Sequence, residues 1–132
     1  MTDQIRVFKD ATAIITGGAS GIGRTMALEL VSRGCTVVLA DRQIALAEEL
    51  AASIVADGGN AWARELNVCD YPAFQVLVDE TVAKTGRIDY LFNNAGIAVG
   101  GMTHDLEVSD WDMSIDVNIR GVTNGVQACY KL

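Results

Sequence analysis

The sequence predicts an α/β fold, a parallel sheet doubly wound with helices on both faces. Four short apolar runs alternate with four longer stretches of helical periodicity. The runs from Thr12 to Thr16, Thr36 to Ala40 and Ile88 to Asn93 are apolar without strict alternation, as expected of strands covered on both sides. Gly34, Gly58 and Gly86 follow the first three helical stretches, where helices commonly stop.

The first strand, Thr12 to Thr16, runs straight into a glycine-rich segment and then a helix marked by Ile22, Met26 and Leu30. After the second strand, Leu46, Leu50 and Ile54 repeat at helical spacing; after the third, Ala61 to Leu66, so do Phe74, Leu77, Val78 and Val82. Their apolar faces are expected on the sheet. Asp70 is placed to cap the third helix, with Pro72 in its first turn, where a missing N–H costs little. The fourth helix is expected to start at Ser109, since Ser109-Asp110-Trp111-Asp112 has the form of a capping box with Asp in place of Glu. Its stripe of Ile115, Ile119, Val122 and Val126 runs almost to Leu132 without a stop signal, so the fold is expected to continue beyond this chain.

Residues 1–132 are one domain's worth of chain, able to remove about two thirds of their unfolded surface from water. Seventeen acidic side chains against ten basic ones give a net charge of −7, and the Lys and Arg are scattered, so nucleic acid and anionic membranes are poor partners. Neither a leader pattern at the N-terminus nor a stretch of ~20 apolar residues is present, and a soluble cytoplasmic protein is expected. Cys35, Cys69 and Cys129 are odd in number and lack Cys-x-x-Cys spacing; they read as small buried or half-buried thiols rather than disulfides or zinc ligands. His104 reads as a loop residue, Glu48-Glu49 and Asp110 with Asp112 as solvated faces and capping, and Trp62 and Trp111 as packing aromatics.

Chemistry concentrates in Thr16-Gly17-Gly18-Ala19-Ser20-Gly21-Ile22-Gly23, between a strand and a helix. Gly17 suits a sharp turn with positive φ, Gly21 lets the backbone approach a diphosphate without a Cβ in the way, and Gly23 permits close helix packing. The free N–H groups of the first helical turn then face the anion, aided by the helix dipole. A glycine-rich turn that binds nothing would look alike, but a Walker loop is excluded because no Gly-Lys-Ser/Thr follows. Asp41, at the end of the second strand, can accept from both hydroxyls of an adenosine ribose, or else cap the next helix. The ribose role favours NAD over NADP, because a 2′-phosphate at ~4 Å would be repelled by about 4 kcal/mol per unit charge at an effective dielectric near 20. Arg42 opposes this, since a guanidinium can receive that phosphate or stack on adenine.

The spacing of Gly17, Gly21 and Gly23 is similar to the Thr-Gly-x-x-x-Gly-x-Gly of the short-chain dehydrogenase/reductase family. Asp41, Asn93-Asn94-Ala95-Gly96 and Asn118 match that family in order, so the resemblance covers the whole chain. It implies a Rossmann-type sheet with strands in the order 3-2-1-4, the remainder of a seven-stranded sheet being missing. It implies a cofactor site of Gly17, Ser20, Gly21, Ile22, Gly23, Asp41 and Arg42, with Asn67 and Val68 beside the adenine and Asn94, Ala95 and Gly96 bordering the nicotinamide side. Taken alone, Asn67 is a turn residue, and the Asn-Ala-Gly segment is equally compatible with a plain turn.

Asn118 is the one catalytic assignment the resemblance provides here: in the family the matching residue places a water that connects the catalytic lysine to solvent. As a bare sequence feature it is a polar residue inside a helix, equally at home on a solvated face. The family's Tyr-x-x-x-Lys pair is absent, since Tyr71 is followed four positions on by Gln75 and Tyr90 by Asn94, and Tyr130 is two residues from the end. The resemblance therefore implies an NAD-dependent oxidoreductase exchanging hydride with a small-molecule alcohol or carbonyl, of which this chain alone is inactive. The competing readings are a non-catalytic dinucleotide-binding module, or a subunit completed by another chain. A damaged fragment without binding function is a weaker third. An exposed fourth strand and an uncovered helix stripe lead to an expectation of self-association, with a homo-oligomer for the complete enzyme.

Overall fold

The computed structural model describes residues 7–130. Four strands, β1 (Thr12–Thr16), β2 (Thr36–Asp41), β3 (Ala61–Glu65) and β4 (Tyr90–Phe92), form one parallel sheet in the order β3-β2-β1-β4. Each crossover carries a helix: α1 (Gly21–Ser32), α2 (Ile44–Ala56) and α3 (Tyr71–Thr85). A long loop with a short 3₁₀ turn at Thr103–Asp105 leads to α4 (Val108–Ile115), which passes through a π-helical segment, Asp116–Arg120, into α5 (Gly121–Cys129).

Successive strand side chains point to opposite faces, and both faces are dry. Ala13, Ile15, Val37 and Leu39 meet Ala27 and Leu30 of α1 and Ala47, Leu50 and Ile54 of α2. On the other side Ile14, Val38 and Ala40 meet Phe74, Leu77 and Val78 of α3 and Ala128 of α5. The double winding expected from the apolar runs is thus present. Asp70 caps α3, its carboxylate accepting from the Ala73 N–H at 3.0 Å, and Gly34, Gly58 and Gly86 take positive φ where the helices end.

Several local expectations are corrected. β4 is three residues long rather than running from Ile88 to Asn93, because side chains replace backbone partners at both ends. Before it, the Thr12 N–H is taken by the Asp89 carboxylate at 2.8 Å; after it, the Thr16 hydroxyl receives the N–H groups of Asn94 and Ala95. Ile22 and Leu46, 75% and 43% exposed, face outward, because the inward positions of these first turns fall on the next residues, Gly23 and Ala47. α4 starts at Val108, not Ser109: Glu107 is its cap, with Asp110 Oδ2 reaching back to accept the Glu107 N–H at 2.9 Å.

The stripe of Ile115, Ile119 and Val126 faces outward, as does Trp111. α5 packs instead through Gly121, Gly125 and Ala128, which are buried. A Cβ on Gly121 would lie 2.6 Å from Val68 Cγ2, and one on Gly125 would lie 3.0 Å from Phe74 Cζ, so small residues set how near the helix comes. Burial pushes the thiols of Cys35 and Cys129 up to about 11, with the Asp89 charge adding to the effect at Cys35, so both are protonated and poorly nucleophilic near neutral pH. No helix among the described residues is long and apolar enough to cross a membrane.

Candidate functional site

The carboxyl ends of the strands open onto a cleft of ≈ 610 Å³. Four separate stretches converge there: Gly17, Ser20 and Ile22 from the glycine-rich turn, Asp41 and Arg42 from the end of β2, Asn67 and Val68 after β3, and Asn94, Ala95 and Gly96 after β4. Gly21 and Gly23 shape the turn without lining the cleft. Gln43, Leu66, Ile97 and Val117 also line it and were not anticipated; Gln43, Leu66 and Ile97 directly adjoin residues that were. A larger groove of ≈ 930 Å³ along α1 is mostly apolar, bounded by Phe8, Met26, Leu30 and Phe92, and offers no comparable convergence of hydrogen-bonding groups.

The turn is held from both sides. Gly17 has φ +64°, as its place at a sharp turn requires, and its N–H donates to the Ala40 carbonyl at 2.8 Å. Gly18 also donates to Ala40, and the Ala19 N–H donates to Asp41 Oδ2 at 3.0 Å. The first three amides past Thr16 are therefore spent inside the protein. The N–H groups left for an external anion are those at the start of α1, which lack intrahelical acceptors. On the other side, Asn94 Nδ2 donates to the carbonyls of Thr16 (3.0 Å) and Gly17 (3.2 Å). Thr16 Oγ1, buried, accepts from the Asn94 and Ala95 N–H groups at 3.1 and 3.0 Å and donates to the Phe92 carbonyl. Gly23 sits against this lock, with a hypothetical Cβ only 2.1 Å from the Gly17 oxygen and 2.7 Å from Asn94 Nδ2.

Asp41 is 8% exposed and does not cap α2 by its position, since Gln43 is the cap residue. Its Oδ1 accepts from the Gln43 N–H at 2.9 Å. Arg42 is exposed at the rim. Asn67 Oδ1 accepts from the Cys69 N–H at 3.1 Å, closing a local turn.

Asn118 lies in the π-helical segment and outside the cleft lining. Its amide is committed: Oδ1 accepts from Ile97 N–H at 2.8 Å, and Nδ2 donates to the Ile97 carbonyl at 2.9 Å and to Ser114 Oγ at 3.2 Å. It clamps the loop after β4, and Ile97 in turn lines the cleft. None of Tyr71, Tyr90 and Tyr130 lines the cleft, and Tyr90 donates instead to the Val7 carbonyl.

The sequence profile described as short chain dehydrogenase matches residues 11–132. The chain belongs to the short-chain dehydrogenase family. It is 36% identical over 120 residues to an uncharacterized oxidoreductase of Listeria monocytogenes, covering 91% of this chain and 48% of that protein. It is 37% identical over 121 residues to a 3-oxoacyl-acyl-carrier-protein reductase of Synechocystis, covering 91% of this chain and 49% of that protein. The crystal structure of a short chain dehydrogenase/reductase from Burkholderia phymatum in complex with NAD superposes with a TM-score of 0.91 at 31% identity, covering 94% of this chain and 44% of that one. The chain spans about half the length of the curated relatives it matches.

Proposed function

We propose that residues 1–132 form the NAD-binding domain of an oxidoreductase that exchanges hydride with a small-molecule alcohol or carbonyl. The observation that carries this reading is the buried Asp41 carboxylate, set at the edge of the cleft beside the glycine-rich turn and the open first turn of α1. The fit is good at the point of closest approach: Gly21 has φ +53°, and nothing lies within 4 Å of where its Cβ would be, so the helix start is open to a diphosphate. Ser20, Gly21 and Ile22 would present the amides, and Asp41 would take the ribose hydroxyls with lone pairs its backbone donors leave free. Leu66, Asn67 and Val68 would flank the adenine, while Asn94, Ala95 and Gly96 would border the nicotinamide side.

When bound, NAD supplies the hydride chemistry, and this chain's share is to hold it and keep water from it. Asn118 acts as a positioning residue, fixing the loop through Ile97. The proton-transferring tyrosine and lysine are assigned to the half of the relatives that this chain does not span, and the whole protein to a cytoplasmic homo-oligomer. Support for NAD over NADP comes from Asp41, whose charge would oppose a 2′-phosphate, and from the NAD in the Burkholderia phymatum relative. NADH is therefore expected to bind at least about tenfold more tightly than NADPH, a difference of about 1.4 kcal/mol. Titration calorimetry with both nucleotides checks this, and equal affinities would refute the assignment of NAD.

A further inference from the structure

We infer that Asp41 has a second duty, as the strut that holds the glycine-rich turn in its anion-receiving shape even when no sugar is bound. The inference rests on the dinucleotide reading above but has its own geometric basis. Ser20, the cap residue of α1, makes no side-chain bond to its own helix, so the turn is not secured locally in the usual way. Its restraint on the β2 side comes from two adjacent residues. Ala40 takes the N–H groups of Gly17 and Gly18 at 2.8 and 3.4 Å, and Asp41 Oδ2 takes that of Ala19 at 3.0 Å.

Ala19 is 4% exposed, so water is a poor substitute acceptor for its amide. The other carboxylate oxygen is anchored by the Gln43 N–H at 2.9 Å, which fixes the orientation of the whole group. Two backbone donors thus converge on one side chain, the buried Ala19 N–H on one oxygen and the Gln43 N–H on the other. A carboxylate provides two; a carboxamide provides one and turns a donor toward the other N–H. Asp41 is therefore required by the turn itself, and the sugar and diphosphate halves of the cleft are coupled through it.

The test uses the intact protein, its Asp41→Asn variant, and two nucleotides, ADP and 2′,3′-dideoxy-ADP, the second keeping adenine and diphosphate but lacking both ribose hydroxyls. A residue that only gripped the sugar would leave dideoxy-ADP binding unchanged. Loss of a negative charge near a diphosphate would, by Coulomb's law alone, tighten it. The strut instead predicts that the variant binds dideoxy-ADP about tenfold more weakly, the worth of one hydrogen bond to a charged group. Unchanged or tighter binding of dideoxy-ADP, with ADP weakened, would overturn the inference.

Amide hydrogen exchange on the free wild-type protein decides the same point without a variant. The Ala19 amide is expected to exchange more slowly than that of Gly21, and equal rates would overturn the strut. Failure of the wild type to bind either nucleotide would instead sink the dinucleotide reading, leaving the exchange result to judge the strut.

Discussion

Gly23→Ala is expected to weaken NADH binding at least about 100-fold, equivalent to about 2.7 kcal/mol, and to destabilise the fold as well. The added methyl would lie 2.1 Å from the Gly17 oxygen, 2.9 Å from its carbonyl carbon and 2.7 Å from Asn94 Nδ2. None of these can yield cheaply. The Gly17 carbonyl accepts from Asn94, its amide donates to Ala40, and its positive φ leaves little room for adjustment. Relief must come from sliding α1 away from the turn, which displaces the very amides proposed to receive the diphosphate. Overpacking in a close-packed interior typically costs about 1–3 kcal/mol, occasionally more. Denaturant titration and calorimetry with NADH read the two losses separately. Wild-type affinity in a folded variant would mean that the turn does not position the ligand.

Thr16→Val is the second large effect, expected to destabilise by about 2 kcal/mol or more and to weaken NADH binding with it. Valine matches threonine in shape, so packing is conserved and only the hydroxyl is lost. That hydroxyl accepts from two consecutive amides, Asn94 and Ala95, and donates to Phe92. Removing it leaves the Ala95 N–H without an acceptor, at about 1–3 kcal/mol if it stays buried, and the Asn94 N–H with only the Phe92 carbonyl at 2.8 Å. Because Asn94 also holds the carbonyls of Thr16 and Gly17, loosening it frees the turn from the β4 side. Thr16→Ser is the control, since it keeps the oxygen and loses only the methyl; it is expected to be the more stable of the two, and a Val variant as stable as wild type would show that the hydroxyl does not hold the turn. Chemical denaturation of the three proteins makes the comparison.

The sheet was legible because its two central strands, β1 and β2, are buried on both faces and carry no competing signal. Continuous apolar runs such as Thr12 to Thr16 can satisfy only that environment, and Gly17 and Gly23 are placed where a turn and a close contact demand them. The cleft was legible for the same reason, since its residues close strands whose ends the sequence marks. What escaped was tertiary. The uncovered stripe of Ile115, Ile119 and Val126 was expected, but the π-helical segment and the small face of Gly121, Gly125 and Ala128 through which α5 packs have no signature in apolar spacing. Periodicity alone reports that a face is apolar, not which face meets the sheet. The limits of β4 were set by Asp89 and Thr16 side chains standing in for backbone partners, a substitution invisible before the strands are paired. The commitment of Asn118 to both the N–H and the carbonyl of Ile97 was likewise hidden, because it joins residues of no shared motif.

The central claim is a location, so a crystal structure of the protein soaked with NADH tests it most directly. The account places diphosphate oxygens within about 3 Å of amides at the start of α1, with both adenosine ribose hydroxyls on the residue 41 carboxylate. Density for the nucleotide in the apolar groove beside Met26 and Leu30, or a ribose turned away from Asp41, would contradict it.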